Sequence, residues 1–393
     1  MNNVCFVLDT LVQLHLPIYK NTVLFQSFYG QYNDNPKYIS EELHRRFPDV
    51  KIVWVCGDSG ADSFPPYAKL VRLGSREYAR YIARACAVVD NYSGLRTNFV
   101  TSRYSIRRLL FRWMSVHRKG QFCLSTGHGT PLKRISLDEP QYQKLPFVQA
   151  YINTDVMIAG DRISVSGWRS GLRWNGEIAE YGTPRNDLLL HGDRQTVRRR
   201  LGLPADRKIV LYAPTFRESA DMSGLFQLEQ LDIQALLETL GERFGGQWSF
   251  VFRAHNEVMK AVRGRIPAEK RACILDGNEH EDMAEYLLCC DALITDYSSC
   301  MIDYALTGRP CFLYAPDVEE YGTVERGFFY DIRRLPFPLS TAPEGLLAGI
   351  RAFEPESYQK GLSAMQEEMG SFERGNAAER VVDRLAEHLT QED

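Results

Sequence analysis

Gly127-His128-Gly129-Thr130-Pro131-Leu132-Lys133 sets a lone histidine between two glycines, directly after the apolar run Gln121 to Thr126. An imidazole with a reference pKa of ~6.5 can take up a proton near neutrality. The flanking glycines allow unusual backbone dihedrals and close approach by another molecule, and Pro131 suits the first turn of a following helix. Strand end, tight turn and histidine together fit a reactive group at the carboxyl end of a parallel sheet, where such sheets bind ligands. The alternative at this point is a turn histidine with no chemistry.

Further chemistry-bearing residues follow strand-like runs in the second half. Ala292 to Thr295 leads into Asp296-Tyr297-Ser298-Ser299, and Met301 to Leu306 has helical character. A helix N-terminus carrying two hydroxyls there would bind phosphate, or the serines would simply cap the helix. His255 follows the run Trp248 to Arg253, Arg217 follows Lys208 to Ala213, and Arg326 stands in Arg326-Gly327-Phe328. A rim of Arg217, His255, Ser298, Ser299 and Arg326 offers the fixed donors and positive charge that a pyrophosphate needs. No G-x-x-x-x-G-K-[ST] loop, G-x-S-x-G elbow or H-E-x-x-H helix is present, which removes support for P-loop kinase, esterase and zinc-protease readings.

The elements that must position these residues alternate between short β-branched or aromatic runs and helical patterns, as in βαβ units. The first series of strands is expected at Val23 to Ser27, Lys51 to Val55, Lys69 to Leu73, Ala87 to Asn91, Gln121 to Thr126 and Asp155 to Ala159. The second is expected at Lys208 to Ala213, Trp248 to Arg253, Ala272 to Leu275, Ala292 to Thr295 and Cys311 to Tyr314. Helices are expected at Pro36 to Phe47 and Ser75 to Cys86, and the Gly-containing stretch Glu180 to Asp187 is the expected linker. Pro355 to His388 is helical in pattern and is expected to pack on a domain face. Two doubly wound halves follow, an arrangement shared by GT-B transferases, ligases and kinases.

With 393 residues, 44% hydrophobic and 25% charged, the chain has room for two ordinary globular domains, and disorder and fibre are excluded. A net charge of −3 argues against a nucleic-acid partner. The average hides an asymmetry: Asn91 to Leu137 carries nine Lys or Arg and no Asp or Glu. Within it, Arg103, Arg107, Arg108, Arg112, Arg118 and Lys119 interleave with Ile106, Leu109, Leu110, Trp113 and Met114. As a helix this segment would lie on an anionic membrane surface, or join the core by its apolar stripe with its arginines solvated. The nine cysteines lie mostly in apolar runs without metal-ligand spacing, reading as reduced core residues of a cytoplasmic protein. Val4 to Ile18 is apolar but short and makes a poor signal peptide; it reads as a first core element or an interfacial helix.

Several of these segments, taken in order, closely resemble the CDP-glycerol glycerophosphotransferases of teichoic acid and capsule synthesis. The resemblance rests on Phe25 to Gly30 with Asp34-Asn35-Pro36-Lys37, the His128 to Lys133 loop, and Gly182-Thr183-Pro184-Arg185-Asn186-Asp187. It continues through Tyr212 to Arg217, Arg253 with His255, Thr295 to Ser299 with Asp303 to Leu306, and Tyr321 with Arg326-Gly327-Phe328. It implies an α/β, GT-B-like fold: two facing Rossmann-like domains with parallel sheets and an interdomain cleft. Residues 1–185 would form the acceptor domain, and 186–393 the CDP-donor domain with the C-terminal helices.

The activity implied is transfer of glycerol phosphate from CDP-glycerol to a hydroxyl of a lipid-linked saccharide or polyol-phosphate acceptor, releasing CMP, by a primase or short-form enzyme. CDP-ribitol, another CDP-alditol or a nucleotide sugar is the alternative donor, and a non-catalytic membrane scaffold the alternative role. His128 matches the family's general base, and His255 a histidine that contacts the donor phosphates. Arg217, Ser298, Ser299 and Arg326 fall on the donor side, with Arg103, Arg107, Arg108, Arg112 and Lys133 on the acceptor and membrane side. No resident cofactor or metal site is expected, although Mg²⁺ could accompany the CDP donor. The expected location is cytoplasmic, on the inner face of the cell membrane. The sequence departs from the family pattern at Gly127, where a tryptophan is common, and at Asn256, where a proline is usual; the first departure is expected to widen the site.

Overall fold

The alternation along Tyr19–Gln26 (β1) sends side chains into two separate apolar layers. Val23 and Phe25 join Ile52, Trp54 and Val89 in one core, while Leu24 joins Val53, Val55 and Val88 in another. A strand apolar on both faces belongs in the middle of a covered parallel sheet. The structure, a computed structural model, describes residues 9–57, 61–91, 118–139, 154–215, 228–254, 274–278, 280, 282–320 and 327–389.

β1 lies between β2 (Lys51–Cys56) and β4 (Ala85–Asp90). β3 (Lys69–Arg72) flanks β2; β5 (Phe122–Ser125), β6 (Val156–Ile158) and β7 (Glu177–Ala179) follow beyond β4. The resulting order is β3-β2-β1-β4-β5-β6-β7, parallel throughout. The second sheet comprises β8 (Lys208–Ala213), β9 (Trp248–Phe252), β10 (Ile274–Asp276), β11 (Ala292–Thr295), β12 (Cys311–Tyr314) and β13 (Leu339–Ser340). Its order, β10-β9-β8-β11-β12-β13, repeats the same winding. Each sheet therefore reverses direction once, between β1 and β4 in the first and between β8 and β11 in the second. Ligands of doubly wound sheets bind at the carboxyl ends of strands flanking such a reversal.

The chain divides into two compact units: Met1–Gly129, Ser136–Asp187 and Ser371–Asp393 form the first, and Thr130–Ile135 with Leu188–Gly370 the second. The C-terminal residues thus do not all belong to the second domain, as the sequence division at 186 has it. The Pro355–Met369 helix ends at Gly370, which takes a left-handed conformation with φ +62°. Beyond it the Ala377–Ala386 helix buries Val381, Val382 and Leu385 in the first unit's core. Two anchors fix that return: Asp187 accepts from the backbone N–H groups of Ala377 and Ala378 at 3.0 and 2.8 Å. Glu373 accepts from Thr183 N and Asn186 Nδ2 at 3.1 and 3.0 Å. The stretch Glu180 to Asp187, expected as a linker, is accordingly fastened down within the first unit.

Pro131 opens no helix. Residues 130–135 are non-helical and join the second unit through an antiparallel bridge between Lys133 and Phe328 and a bond from Phe329 N to Leu132 O of 2.8 Å. The cysteines read as core residues are largely that: of the seven free thiols described, all but Cys56 are buried, and burial pushes Cys300 up to about 12. Of the apolar N-terminal segment, residues 9–13 are helical with Thr10 buried and Val12 exposed, and residues 4–8 lie outside the described chain. Among the described residues no helix is long and apolar enough to cross a membrane.

Candidate active site

One strand beyond the first reversal, beside β4, β5 ends in Thr126-Gly127-His128-Gly129, with Gly127 at φ +56° and Gly129 at φ +119°. These left-handed turns leave the His128 side chain exposed while the strand before it is buried. Phe28 meets the imidazole edge-on with ring centroids 5.4 Å apart. His128 Nδ1 lies 3.3 Å from the backbone carbonyl of Asn91, the residue that follows β4. A carbonyl only accepts, so this contact selects the tautomer with the proton on Nδ1 and puts the basic lone pair on Nε2.

The loop is held from below by groups distant in sequence. Asn35 Nδ2 donates to Gly127 O at 3.2 Å, and Arg185 Nη1 donates to His128 O at 2.9 Å. The same Arg185 nitrogen pairs with Asp34 Oδ1 at 2.6 Å, and Asn91 Nδ2 donates to Asp34 Oδ2 at 2.6 Å. Asp34, Asn35 and Asn91 are buried. Arg185 and Asp34 figured in the sequence only as members of family-like motifs, and Asn91 only as a strand end. For Asp34 the available signal was the dense polar run Asn33-Asp34-Asn35 at the start of the Asp34–Arg46 helix, where apolar packing alone has no use for it.

Beside Gly127 the indole of Trp168 fills the space, and a Cβ placed at the glycine would stand 2.8 Å from Trp168 Cζ2. Trp168 is fixed by its Nε1 bond to Ile158 O at 3.0 Å.

At the second reversal, β11 leads through Asp296 and Tyr297 to Ser298 and Ser299, which cap the Cys300–Ala305 helix and are half-buried. Asp296, fully buried, accepts at Oδ1 from Thr215 N at 2.8 Å and Tyr297 N at 2.5 Å, joining the turn after β11 to the loop after β8. Ser298 Oγ accepts from Cys300 N at 3.4 Å, and Ser299 makes no side-chain capping bond. The helix has six residues, so its dipole is small and the hydroxyls and amides of the turn are the available donors. Lys133 belongs to this second unit, beside Phe328. Tyr297 packs on Phe328, with ring centroids 5.6 Å apart, and donates to Asp317 Oδ1 at 2.8 Å.

Arg217, His255 and Arg326 lie outside the described residues, as do Arg103, Arg107, Arg108 and Arg112. Of the same basic stretch, Arg118 is described, and it serves the backbone: it donates to Ala83 O and Leu16 O at 2.7 Å each. Arg253, the residue two before His255, donates to Gly277 O and His280 O and lies over the Tyr286 ring at 5.0 Å. Among the described residues no group of three or more His, Cys, Asp or Glu is placed to hold a metal.

The model of the family described as CDP-Glycerol:Poly(glycerophosphate) glycerophosphotransferase matches residues 8–387. The chain belongs to this family. As a member of the glycerophosphotransferase family it is 29% identical over 391 residues to the teichoic acid poly(glycerol phosphate) polymerase of Staphylococcus epidermidis, covering 94% of this chain and 51% of that protein. It is 28% identical over 384 residues to the teichoic acid glycerol-phosphate transferase of Staphylococcus aureus, covering 92% of each. The chain thus spans about half the length of the first relative and nearly all of the second. A histidine-to-alanine variant of the wall teichoic acid polymerase TagF superposes with a TM-score of 0.80 at 27% identity, over 98% of this chain and 96% of that one. In this family member, as expected for a GT-B-like protein, both units are α/β with parallel sheets.

Proposed function

We propose that the chain transfers glycerol phosphate from CDP-glycerol to a hydroxyl of a lipid-linked saccharide or polyol-phosphate acceptor, releasing CMP, in teichoic acid synthesis or the making of a capsule-like polymer. The observation that carries this reading is the His128 ring: exposed at the carboxyl end of β5, with Nδ1 on the Asn91 carbonyl and its basic lone pair directed to Nε2. In this reading Nε2 takes the proton of the acceptor hydroxyl as its oxygen bonds to the β-phosphorus of the donor. The bond from that phosphorus to the bridging oxygen breaks, and CMP leaves with the electron pair. Charge developing on the leaving phosphate is met by Ser298 and Ser299, with Arg217, His255 and Arg326 assigned beside them. Lys133, placed in the same unit as Ser298, adds a cation to the donor side.

The first unit then serves the acceptor, and Arg103, Arg107, Arg108 and Arg112 hold an anionic membrane surface from the cytoplasmic side. The chemistry calls for no resident metal, and Mg²⁺ riding on the diphosphate is tested by assay with and without EDTA.

The experiment is CMP release from CDP-glycerol with a synthetic lipid-linked disaccharide, with product mass read directly. His128→Ala, which removes an exposed ring, is expected to lower kcat by about 10²–10⁴-fold. Near-normal turnover by that variant removes His128 from the role of base. CDP-ribitol or UDP-sugars outcompeting CDP-glycerol reassigns the donor within the same chemistry, and no CMP from any donor leaves a scaffold role.

A further inference from the structure

The His128 loop is part of a closed circuit of bonds within the first unit. Starting from Asp34, Oδ1 takes Arg185 Nη1 at 2.6 Å, and the same nitrogen donates to His128 O at 2.9 Å. His128 Nδ1 turns to Asn91 O at 3.3 Å, and Asn91 Nδ2 returns to Asp34 Oδ2 at 2.6 Å. One carboxylate thus holds both the residue that grips the histidine's backbone and the residue that grips its ring.

Stability alone does not account for this circuit. Asp34 is a non-glycine residue at φ +57°, at the first position of the Asp34–Arg46 helix, a conformation that surrounding structure must impose. Its own Oδ1 helps by accepting from Asn35 N at 2.8 Å. Both donors of the Asn91 amide are engaged, to Asp34 and to Ser27 Oγ at 3.0 Å, which fixes the amide's orientation. Among the described residues, that orientation leaves Asn91 Oδ1 buried without a hydrogen-bond partner. A strained backbone and an unsatisfied buried acceptor in one small cluster are features retained where geometry serves function.

We infer that Asp34 is the positioning residue for the proposed base: through Arg185 and Asn91 it sets both the height of the His128 loop and the ring orientation that keeps the proton on Nδ1. This rests on the reading of His128 as the acceptor-side base, but its structural half can be tested without substrate. Asp34 touches no reacting atom. It acts through the two residues it holds.

The test uses Asp34→Asn, which keeps size and tolerance of the left-handed backbone while removing the charge. Because that leaves Arg185 without its anion, the double variant Asp34→Asn/Arg185→Gln is measured beside it, with no buried charge unpaired. The first readout is the imidazole ¹⁵N spectrum of the full chain, with the His128 signals assigned by their loss in His128→Ala. The wild-type protein is expected to show the Nδ1–H tautomer, and both variants a mixture of tautomers. The second is CMP release, where kcat is expected to fall tenfold to a hundredfold with KM for CDP-glycerol within twofold. An unchanged tautomer in the double variant overturns the inference, as does a kcat that stays within twofold of wild type. A His128→Ala protein with near-normal turnover instead refutes the base assignment, and the tautomer measurement then still decides whether Asp34 orients the ring.

Discussion

The two sheet reversals share a strand order and differ in how their loops are held. Beside β1 a buried carboxylate, Asp34, faces the Arg185 guanidinium, which reaches on to His128 O, and the side-chain amide of Asn91, whose backbone carbonyl meets the His128 ring. Beside β8 a buried carboxylate, Asp296, accepts backbone N–H groups of its own turn and of the neighbouring loop. A protruding imidazole has free side-chain torsions, so fixing its direction needs contacts to the ring and to its backbone from separate elements. Serine hydroxyls sit one bond from Cβ, and placing the turn nearly places them. The more elaborate scaffold therefore stands under the residue whose orientation is hardest to fix.

The sharpest way to break this contrast is Asp296→Ala, which leaves the Thr215 and Tyr297 amides without that acceptor. At roughly 1–3 kcal/mol for each stranded group, about 3 kcal/mol of stability should be lost. Asp296→Asn keeps Oδ1 and should lose far less in urea unfolding; equal losses would mean that the charge, and not the acceptor, dominates here. Gly127→Ala comes next. A left-handed alanine costs about 1–2 kcal/mol, and its Cβ would stand 2.8 Å from Trp168 Cζ2. A drop in Tm is expected, with part of it recovered when Trp168→Phe is added; full recovery would leave no dihedral constraint on the loop. The smallest effect belongs to Ser298→Ala, where a 3.4 Å capping bond is removed. Stability should fall by about 0.5 kcal/mol while KM for CDP-glycerol rises. A change in stability alone would make Ser298 a cap and nothing more.

Much of the scaffold was legible before the structure. β8, β11 and β12 fall on the residues expected from their apolar runs, because short β-branched and aromatic stretches between turn residues carry their own signal. β7 and β13 escaped notice because stretches as short as Glu177–Ala179 and Leu339–Ser340 are too brief for periodicity to register. The helix expected after Pro131 failed for another reason. Proline at a first turn is permissive, and the pairing of Lys133 with Phe328 takes the segment instead.

By itself the sequence determined that two parallel-sheet halves would form, that His128 would stand at a strand's end, and that Ser298 and Ser299 would follow another. Those properties depend on neighbours within a few residues, through side-chain alternation and turn chemistry. Only the tertiary structure decided what holds the histidine. Asp34 meets Asn91 across 57 residues and Arg185 across 151, and Glu373 returns to Thr183 across 190. Such pairs form because the winding of the sheet brings the ends of β1, β4 and β5 side by side, and no local pattern records which polar groups will meet there.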